Sequence, residues 1–372
     1  MSAYKIAWLP GDGVGVEVME AARICLDALK FDAHYSHGDI GWEFWRTEGE
    51  SFPQRTIDLL EASDAALFGA ITSKPARDAE AELIPALQGK GLTYRSPIVR
   101  MRQRFDLFTC LRPCKAYPGN PLNYKDGIDL VIFRQNTEGL YAGVEFSPVP
   151  DELKTALLKL SKPFAHFADI PGDEFAITCK VNTQKGCDRI IRAAFEYAKQ
   201  HGCPKVTIIH KANVVRATEG MFLETGKRIA KEYPQIAMDD ANVDAITMWL
   251  LKNPQSYSVL VATNLFGDIV SDLAAQMIGG LGFACSANIG AKLGVFEPSH
   301  GSAPKYAGQY KVNPIAMILS AKMMLDWLGE TEKAAKLEAA TAAVIAEGRV
   351  RTYDMGGNAS TLEMSEAIAR KL

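Results

Sequence analysis

No apolar stretch in the 372 residues reaches the roughly 20 needed to cross a bilayer, so nothing in the chain reads as a membrane span. The start, Met1-Ser2-Ala3-Tyr4-Lys5-Ile6-Ala7-Trp8, is strand-like and lacks a long apolar signal segment. Neither sign of charge dominates. Lys and Arg total 41 against 44 Asp and Glu, and a net charge of -3 gives no global attraction to nucleic acid or to an anionic membrane. An anionic ligand would need a local basic pocket. The seven cysteines are odd in number and form no CxxC pair, which argues for reduced thiols. Cys110 and Cys114 read as packing residues. A cytoplasmic location is expected, or an organelle after removal of a transit peptide. There is no internal repeat, no G-x-G-x-x-G, and no low-complexity tract beyond an Ala-rich helix at 333–347.

What the chain has is ordinary globular material: 48% hydrophobic and 23% charged residues, in a length suited to two domains or one large α/β body. It is organised around Val259-Leu260-Val261-Ala262-Thr263-Asn264-Leu265-Phe266-Gly267-Asp268-Ile269-Val270-Ser271-Asp272, an apolar strand that turns into a helix. Asp268 and Asp272 are spaced i, i+4 and share a helix face, where like charges repel by about 0.2–0.5 kcal/mol. A hard divalent cation such as Mg²⁺ or Mn²⁺ would convert that repulsion into attraction. On spacing alone, a solvated helix face fits equally well.

Around this stretch the chain alternates strands and helices. Ile6–Leu9 runs into Pro10-Gly11-Asp12-Gly13-Val14-Gly15, where the glycines suit a tight turn with φ > 0 better than a nucleotide loop. Ala65–Ile71 is a buried strand whose carboxyl end leads to Thr72, a position where open α/β sheets bind ligands. Ser96 and Pro97 form a helix start, with Ser96 as N-cap, and Arg102 sits on that helix. Arg112 lies in the next strand, and Arg134 ends the strand Ile128–Phe133, ahead of Glu138 and Tyr141. Three guanidinium forks on one pocket would grip a polycarboxylate, though any one arginine is more often a surface charge. Residues 147–174, rich in Pro, Lys and Asp, read as an irregular arm. A strand at Phe175–Lys180, a helix at Asp188–Lys199 and a strand at Lys205–His210 follow. Lys211 stands at that last strand's end, where partial desolvation would suit acid chemistry. Asp244 falls within an apolar helical run, where a carboxylate must be paired or metal-bound. Beyond the aspartate helix, Gly279-Gly280-Leu281-Gly282 and the run Glu297–Tyr306 offer small residues and backbone N–H groups to a ligand.

Taken together, these motifs make the chain resemble the β-decarboxylating dehydrogenases, the family of isocitrate, homoisocitrate and 3-isopropylmalate dehydrogenases. The resemblance rests on Leu111-Arg112-Pro113, Arg134-Gln135-Asn136-Thr137-Glu138-Gly139-Leu140-Tyr141, His210-Lys211-Ala212-Asn213, Asn264-Leu265-Phe266-Gly267-Asp268 and His300-Gly301-Ser302-Ala303-Pro304, and spans nearly the whole length. It implies an α/β fold with a parallel or mixed sheet flanked by helices. The larger, discontinuous domain would be 1–107 plus 279–372, and the smaller, 108–278, would carry the dimer contact and the arm.

The resemblance also implies residue roles. Ser96, Ile98, Arg102, Arg112, Arg134 and Asn213 would contact the hydroxy-acid substrate. Asp268 and Asp272, with Asp244 of the partner subunit, would hold Mg²⁺ or Mn²⁺. Tyr141 and Lys211 of the partner subunit would be the acid/base pair, which makes a homodimer the functional unit. Thr72, Glu297, His300, Gly301, Ser302, Ala303, Lys305, Tyr306, Val312, Asn313 and Tyr353 would contact the nicotinamide cofactor. Lys305 stands where NAD-using relatives place an acid, so NADP is the expected cofactor and NAD the alternative; Gly357 replaces an arginine of NADP enzymes. Isocitrate is the expected substrate. Ile98, which stands in place of an asparagine, makes homoisocitrate or an alkylmalate the alternative, with Ser96 or Arg100 as compensating contacts. Ser96 also invites comparison with phosphorylated isocitrate dehydrogenases. A non-catalytic regulatory subunit is the reading from a different class.

Overall fold

A computed structural model describes residues 3–372, so Met1 and Ser2 of the strand-like start lie outside it. Ten strands form one mixed sheet: β1 (Tyr4–Gly11), β2 (Ala33–His37), β3 (Ala65–Ala70), β4 (Thr109–Lys115), β5 (Asp129–Gln135), β8 (Lys205–His210), β9 (Ala237–Asn242), β10 (Val259–Ala262), β11 (Cys285–Ile289) and β12 (Gly294–Pro298). Their order is β2-β1-β3-β12-β11-β4-β5-β10-β8-β9. A separate ribbon pairs β6 (Glu145–Phe146) with β7 (Ile177–Thr178).

The outer strands on each side pair in parallel, β2-β1-β3-β12 on one side and β5-β10-β8-β9 on the other. Between them, β11 and β4 pair antiparallel with each other, and each is antiparallel to its outer neighbour. The two parallel blocks therefore run in opposite directions and meet at the β11–β4 seam. Runs such as Ala65–Ala70 and Val259–Ala262 are buried at every residue, as parallel strands covered on both faces must be. Helices Gly15–Ala28, Ile315–Trp327 and Thr361–Ala369 pack together on the first block, and Gln184–Gln200 and Thr218–Ala230 on the second.

Three local expectations change. The segment 147–174 contains a helix, Asp151–Leu160. Pro150 at its N-cap, Asp151 and Glu152 in the first turn and Lys159 in the last are helix-end signals that suit the macrodipole, although the same residues also suit an irregular arm. The strand at Phe175–Lys180 shrinks to Ile177–Thr178 because only Glu145–Phe146 is there to pair with it. Ser96 occupies the N-cap of helix Pro97–Arg104, but its side chain makes no capping bond.

One close approach sets the geometry of the helix Asn264–Met277. A Cβ on Gly267 would lie 2.7 Å from both Cβ and Cγ of Arg134. Only glycine lets this helix sit directly on the arginine. Gly267→Ala is expected to lower stability by about 1–3 kcal/mol through overpacking, measured as the urea unfolding midpoint.

Candidate functional site

Arg112 and Arg134 come from adjacent antiparallel strands, β4 and β5, in which Cys110 faces Arg134 and Arg112 faces Ile132. The helix Asn264–Met277 covers them. Arg134 is 1% exposed. Its Nε donates to Asn264 Oδ1 at 3.0 Å and its Nη1 to Asp268 Oδ1. Arg112 Nη1 donates to Ser271 Oγ at 2.6 Å and to Asp268 Oδ1 and Asp272 Oδ1, each at 3.2 Å. Tyr141, in the 3₁₀ turn Leu140–Ala142, donates its hydroxyl to Asp268 Oδ2 at 2.6 Å. The structure thus joins Arg112, Arg134, Tyr141, Asp268 and Asp272 in one cluster.

The electrostatics are divided. Burial would push Asp268 up, but Arg134 and Arg112, with the Tyr141 hydrogen bond, hold it below the usual carboxylate range. Asp272 is raised by burial despite Arg112. Burial, joined by the neighbouring Arg102 and Arg112, pulls Arg134 down to about 10, still cationic at neutral pH. Tyr141 is raised by burial and by its bond to Asp268, so it keeps its proton.

Arg102 lies beside this cluster on helix Pro97–Arg104. Its Nε donates to Asn288 Oδ1 at 2.9 Å and its Nη2 to Glu297 Oε1 at 3.1 Å. Ile98 is half-buried and packs against the apolar cluster that contains Phe52, Met101 and Leu107. Arg100 is paired with Glu50, so it is not free to compensate for Ile98.

Lys211 and Asp244 are placed elsewhere and pair with each other. Asp244 is not inside an apolar layer. It sits in the first turn of helix Val243–Lys252 with its side chain 66% exposed, favoured there by the helix dipole. Asn213 is exposed in the turn after β8. Among the described residues, no group of three or more His, Cys, Asp or Glu side chains could hold a metal within one chain. Asp268 and Asp272 nevertheless fit a hard cation as an oxygen-only pair one helical turn apart, with a third carboxylate still to be supplied.

A cavity of about 600 Å³ lies where the first block's loops meet the end of the aspartate helix. Of the residues expected at the cofactor, His300, Gly301, Ala303, Tyr306, Val312, Asn313 and Tyr353 line it. The Tyr306 and Tyr353 rings pack with centroids 5.6 Å apart and planes tilted by 36°. Lys305 lies 4.8 Å over the first ring and Lys311 5.1 Å over the second. Thr72 and Ser302 share a 2.6 Å hydroxyl contact behind the loop. Glu297 is buried against Arg102 and Asn288 instead of lining this cavity. The glycine turn after β1 is structural. A Cβ on Gly13 (φ +55°) would lie 2.2 Å from Ser302 O, and Val14 N–H donates to that oxygen at 2.9 Å.

The family model for isocitrate/isopropylmalate dehydrogenase matches residues 5–368. The chain belongs to the isocitrate/isopropylmalate dehydrogenase family. Protein DlpA of Legionella pneumophila is 42% identical over 98% of the chain, which spans 58% of that relative's length. A 3-isopropylmalate dehydrogenase of Methanothermobacter thermautotrophicus is 42% identical, covering 100% of the chain and 99% of the relative. An isocitrate/homoisocitrate dehydrogenase of Thermus thermophilus is 40% identical with coverage of 100% and 99%. The solved isocitrate dehydrogenase of Methylococcus capsulatus superposes with a TM-score of 0.85 at 38% identity, covering 99% of each chain. The protein is thus a decarboxylating dehydrogenase with that enzyme's α/β fold. Members of the family use NAD(P) and a divalent metal, act on small hydroxy acids and are commonly dimeric. No described helix is long and apolar enough to cross a membrane.

The dehydrogenase's cavity also takes in Leu122, Gln276 and Asp354, which no sequence motif singled out. Asp354 accepts from Asn313 Nδ2 at 3.0 Å and from the Thr352 hydroxyl. Asn288 was missed as well, and Asn264 and Ser271 stood in the motifs without a role, since each acts by bonding to an arginine distant in sequence.

The depressed Asp268 carboxyl has a pH signature. It titrates near pH 3.9 when unfolded, so between that value and its lower folded value the unfolded chain binds more protons. Its stabilisation is complete above about pH 4 and is lost as pH falls through the folded value. Urea midpoints of wild type and Asp268→Asn, without added divalent cation, should differ widely at pH 7 and converge in acid.

Proposed function

We propose that the protein oxidatively decarboxylates isocitrate to 2-oxoglutarate with NADP as hydride acceptor, in a homodimer with shared sites. The observation that carries this is the convergence of Arg112, Arg134, Tyr141, Asp268 and Asp272 in a chain of this family. Arg102, Arg112 and Arg134 orient the acid's carboxylates by forked hydrogen bonds. When bound, a Mg²⁺ or Mn²⁺ ion held by Asp268, Asp272 and Asp244 of the partner subunit supplies electron withdrawal at the hydroxyl-bearing carbon, and the nicotinamide accepts the hydride. Tyr141 holds at its Oη the proton that the product carbon takes up once CO₂ has left. Lys211 of the partner subunit exchanges the hydroxyl proton. Arg112 and Arg134 already balance Asp268 and Asp272, so an added dication calls for the substrate's own negative charge, and the two are expected to bind together.

The shared site is supported by the surroundings of Lys211 and Asp244. Val214, Met248, Trp249, Leu251 and Ile269 are exposed large apolar side chains on the same and adjoining elements. Covering them with a second copy would bring Lys211 and Asp244 to an interface. The two-domain division, 1–107 plus 279–372 against 108–278, is supported by the strand order, whose β11–β4 seam separates those segments. A 2′-phosphate is favoured by Lys305 and Lys311 over the Tyr306–Tyr353 pair, and Lys305 holds the Tyr306 phenol below its usual value. The Ser96 hydroxyl, free of any capping bond, supports contact with a third carboxylate. A second reading, an alkylmalate substrate, is favoured by Ile98 and by the pairing of Arg100 with Glu50. The complete Tyr141, Lys211, Asp244, Asp268 and Asp272 set argues against a silent regulatory subunit.

A kinetic panel of isocitrate, homoisocitrate, 3-isopropylmalate and malate with NADP and NAD, with and without Mn²⁺, tests the reading. Isocitrate with NADP should lead, and chelation should abolish turnover. A tenfold lead by another acid overturns the substrate, and equal efficiency with NAD overturns the cofactor. Lys305→Asp should cut kcat/KM for NADP relative to NAD by about tenfold or more. Lys211→Ala and Asp268→Asn should each be inactive, and refolding them as a mixture should restore up to about a quarter of wild-type activity, because half the dimers then hold one intact site. No recovery would exclude sharing.

A further inference from the structure

Asn288, in β11, is 0% exposed and uses its whole amide. Oδ1 accepts from Arg102 Nε and from Asn136 Nδ2, both at 2.9 Å. Nδ2 donates to Glu297 Oε1 at 2.7 Å and to Val295 O at 3.3 Å. In sheet register it lies opposite Cys110 of β4 on one side and Val295 of β12 on the other, at the seam between the two blocks. One side chain therefore joins helix Pro97–Arg104, the turn after β5, β11 and β12.

The effect on Arg102 is directional. Nε goes to Asn288 and Nη2 to Glu297, and Nη1 has no hydrogen-bond partner among the described residues yet is not sealed from solvent. The guanidinium is thus gripped along one edge and presents the other. Because the fork is planar, fixing two of its nitrogens fixes the direction of the third. The adjoining end of β12 leads through Glu297 into the His300–Ala303 segment of the cofactor cavity.

We infer that Asn288 is a positioning residue that aims Arg102 Nη1 at a substrate carboxylate and ties that aim to Glu297, at the root of the cofactor loop. This rests on the reading of Arg102 as a substrate arginine. Asn288 touches neither substrate nor cofactor. It acts on acid affinity through Arg102, so its loss should appear in KM for the acid and leave kcat and KM for the dinucleotide nearly unchanged.

The test is a double-mutant cycle with Asn288→Ser and Arg102→Lys, read as KM for isocitrate, or for whichever acid the substrate panel ranks first. Arg102→Lys keeps the charge and removes the Nε fork. Asn288→Ser should raise KM for the acid by about tenfold, as expected for a lost hydrogen bond to a charged group, with kcat and dinucleotide KM within about twofold. In the Arg102→Lys background the same substitution should add less than about a twofold further change. If Arg102→Lys raises KM but Asn288→Ser does not, or if the two losses multiply, the role of Asn288 is refuted and Arg102 stands. If Arg102→Lys itself leaves KM unchanged, the reading of Arg102 fails. Should Asn288→Ser not accumulate as folded protein, Asn288→Thr, which suits a strand, goes through the same cycle with the same criteria.

Discussion

A buried guanidinium governs the geometry of the second half of this molecule. Arg134 is the next-to-last residue of β5, beneath the helix Asn264–Met277, and a charge so enclosed is tolerated only when paired and hydrogen bonded. Asp268 provides the charge and Asn264 the remaining acceptor. Both lie on the helix above, so that helix must come closer than a side chain at position 267 would allow. The pairing therefore sets helix height, helix register and the direction of Asp268. Asp272, one turn on, and Tyr141, which donates to the far oxygen of Asp268, follow from it. The aspartate face is held by the arginines before any ligand arrives, an arrangement suited to preorganised electrostatics.

The side carrying the proposed cofactor cavity is built on backbone. Ala303 (φ +37°) and Tyr310 (φ +49°) are left-handed at either end of the segment carrying Lys305 and Tyr306. Such residues cost about 1–3 kcal/mol each and persist where their surroundings over-determine them. Here Gly308 N–H donates to the buried Glu17 carboxylate, the Tyr310 hydroxyl donates to Glu20 at 2.7 Å, and Thr361 N–H donates to Tyr310 O at 2.7 Å. Helix Gly15–Ala28 thus holds the loop with its acidic edge. The glycine turn before that helix presses on Ser302 in place of cradling a phosphate, which explains a strand–turn–helix without the dinucleotide fingerprint.

Much of this was legible in the sequence because the candidate site residues stand in short, dense motifs. Arg134 at a strand end, Arg112 ahead of a proline, and Asp268 with Asp272 at i, i+4 could be placed from local pattern, and strands such as Lys205–His210 from apolar runs. What stayed hidden depends on partners remote in the chain. Nothing near Asn288 marks it as a ligand of Arg102, 186 positions away. Arg100 was a candidate for compensating Ile98 until Glu50, 50 positions earlier, proved to hold it. Asp244 was read as buried because its neighbours are apolar, yet only Ile246 and Leu250 of that run face the core, while Met248 and Trp249 are exposed in the single chain. Amphipathic pattern distinguishes a core face from a solvent face; it cannot distinguish a core face from one awaiting another subunit.

The seam between the two blocks follows the same logic as the arginine pocket. Antiparallel β11 and β4 join parallel blocks of opposite direction, which brings residues up to 180 positions apart into register. A seam of purely apolar contacts would hold the sheet as well, since Leu111 faces Ala287 there. Arg102 makes the difference. Its charge is buried beside Arg112 and Arg134, where Glu297 alone among the described residues neutralises it directly, and two neighbouring guanidiniums oppose any relaxation toward them. An amide at Asn288 satisfies Arg102 Nε, Asn136 and Glu297 at once without adding charge. A carboxylate there would repel Glu297, and an aliphatic side chain would strand buried donors and an acceptor at a cost of about 1–3 kcal/mol each. Asparagine is the small residue that meets all of these demands, which is why a neutral side chain at the seam adjoins the cluster of arginines and aspartates.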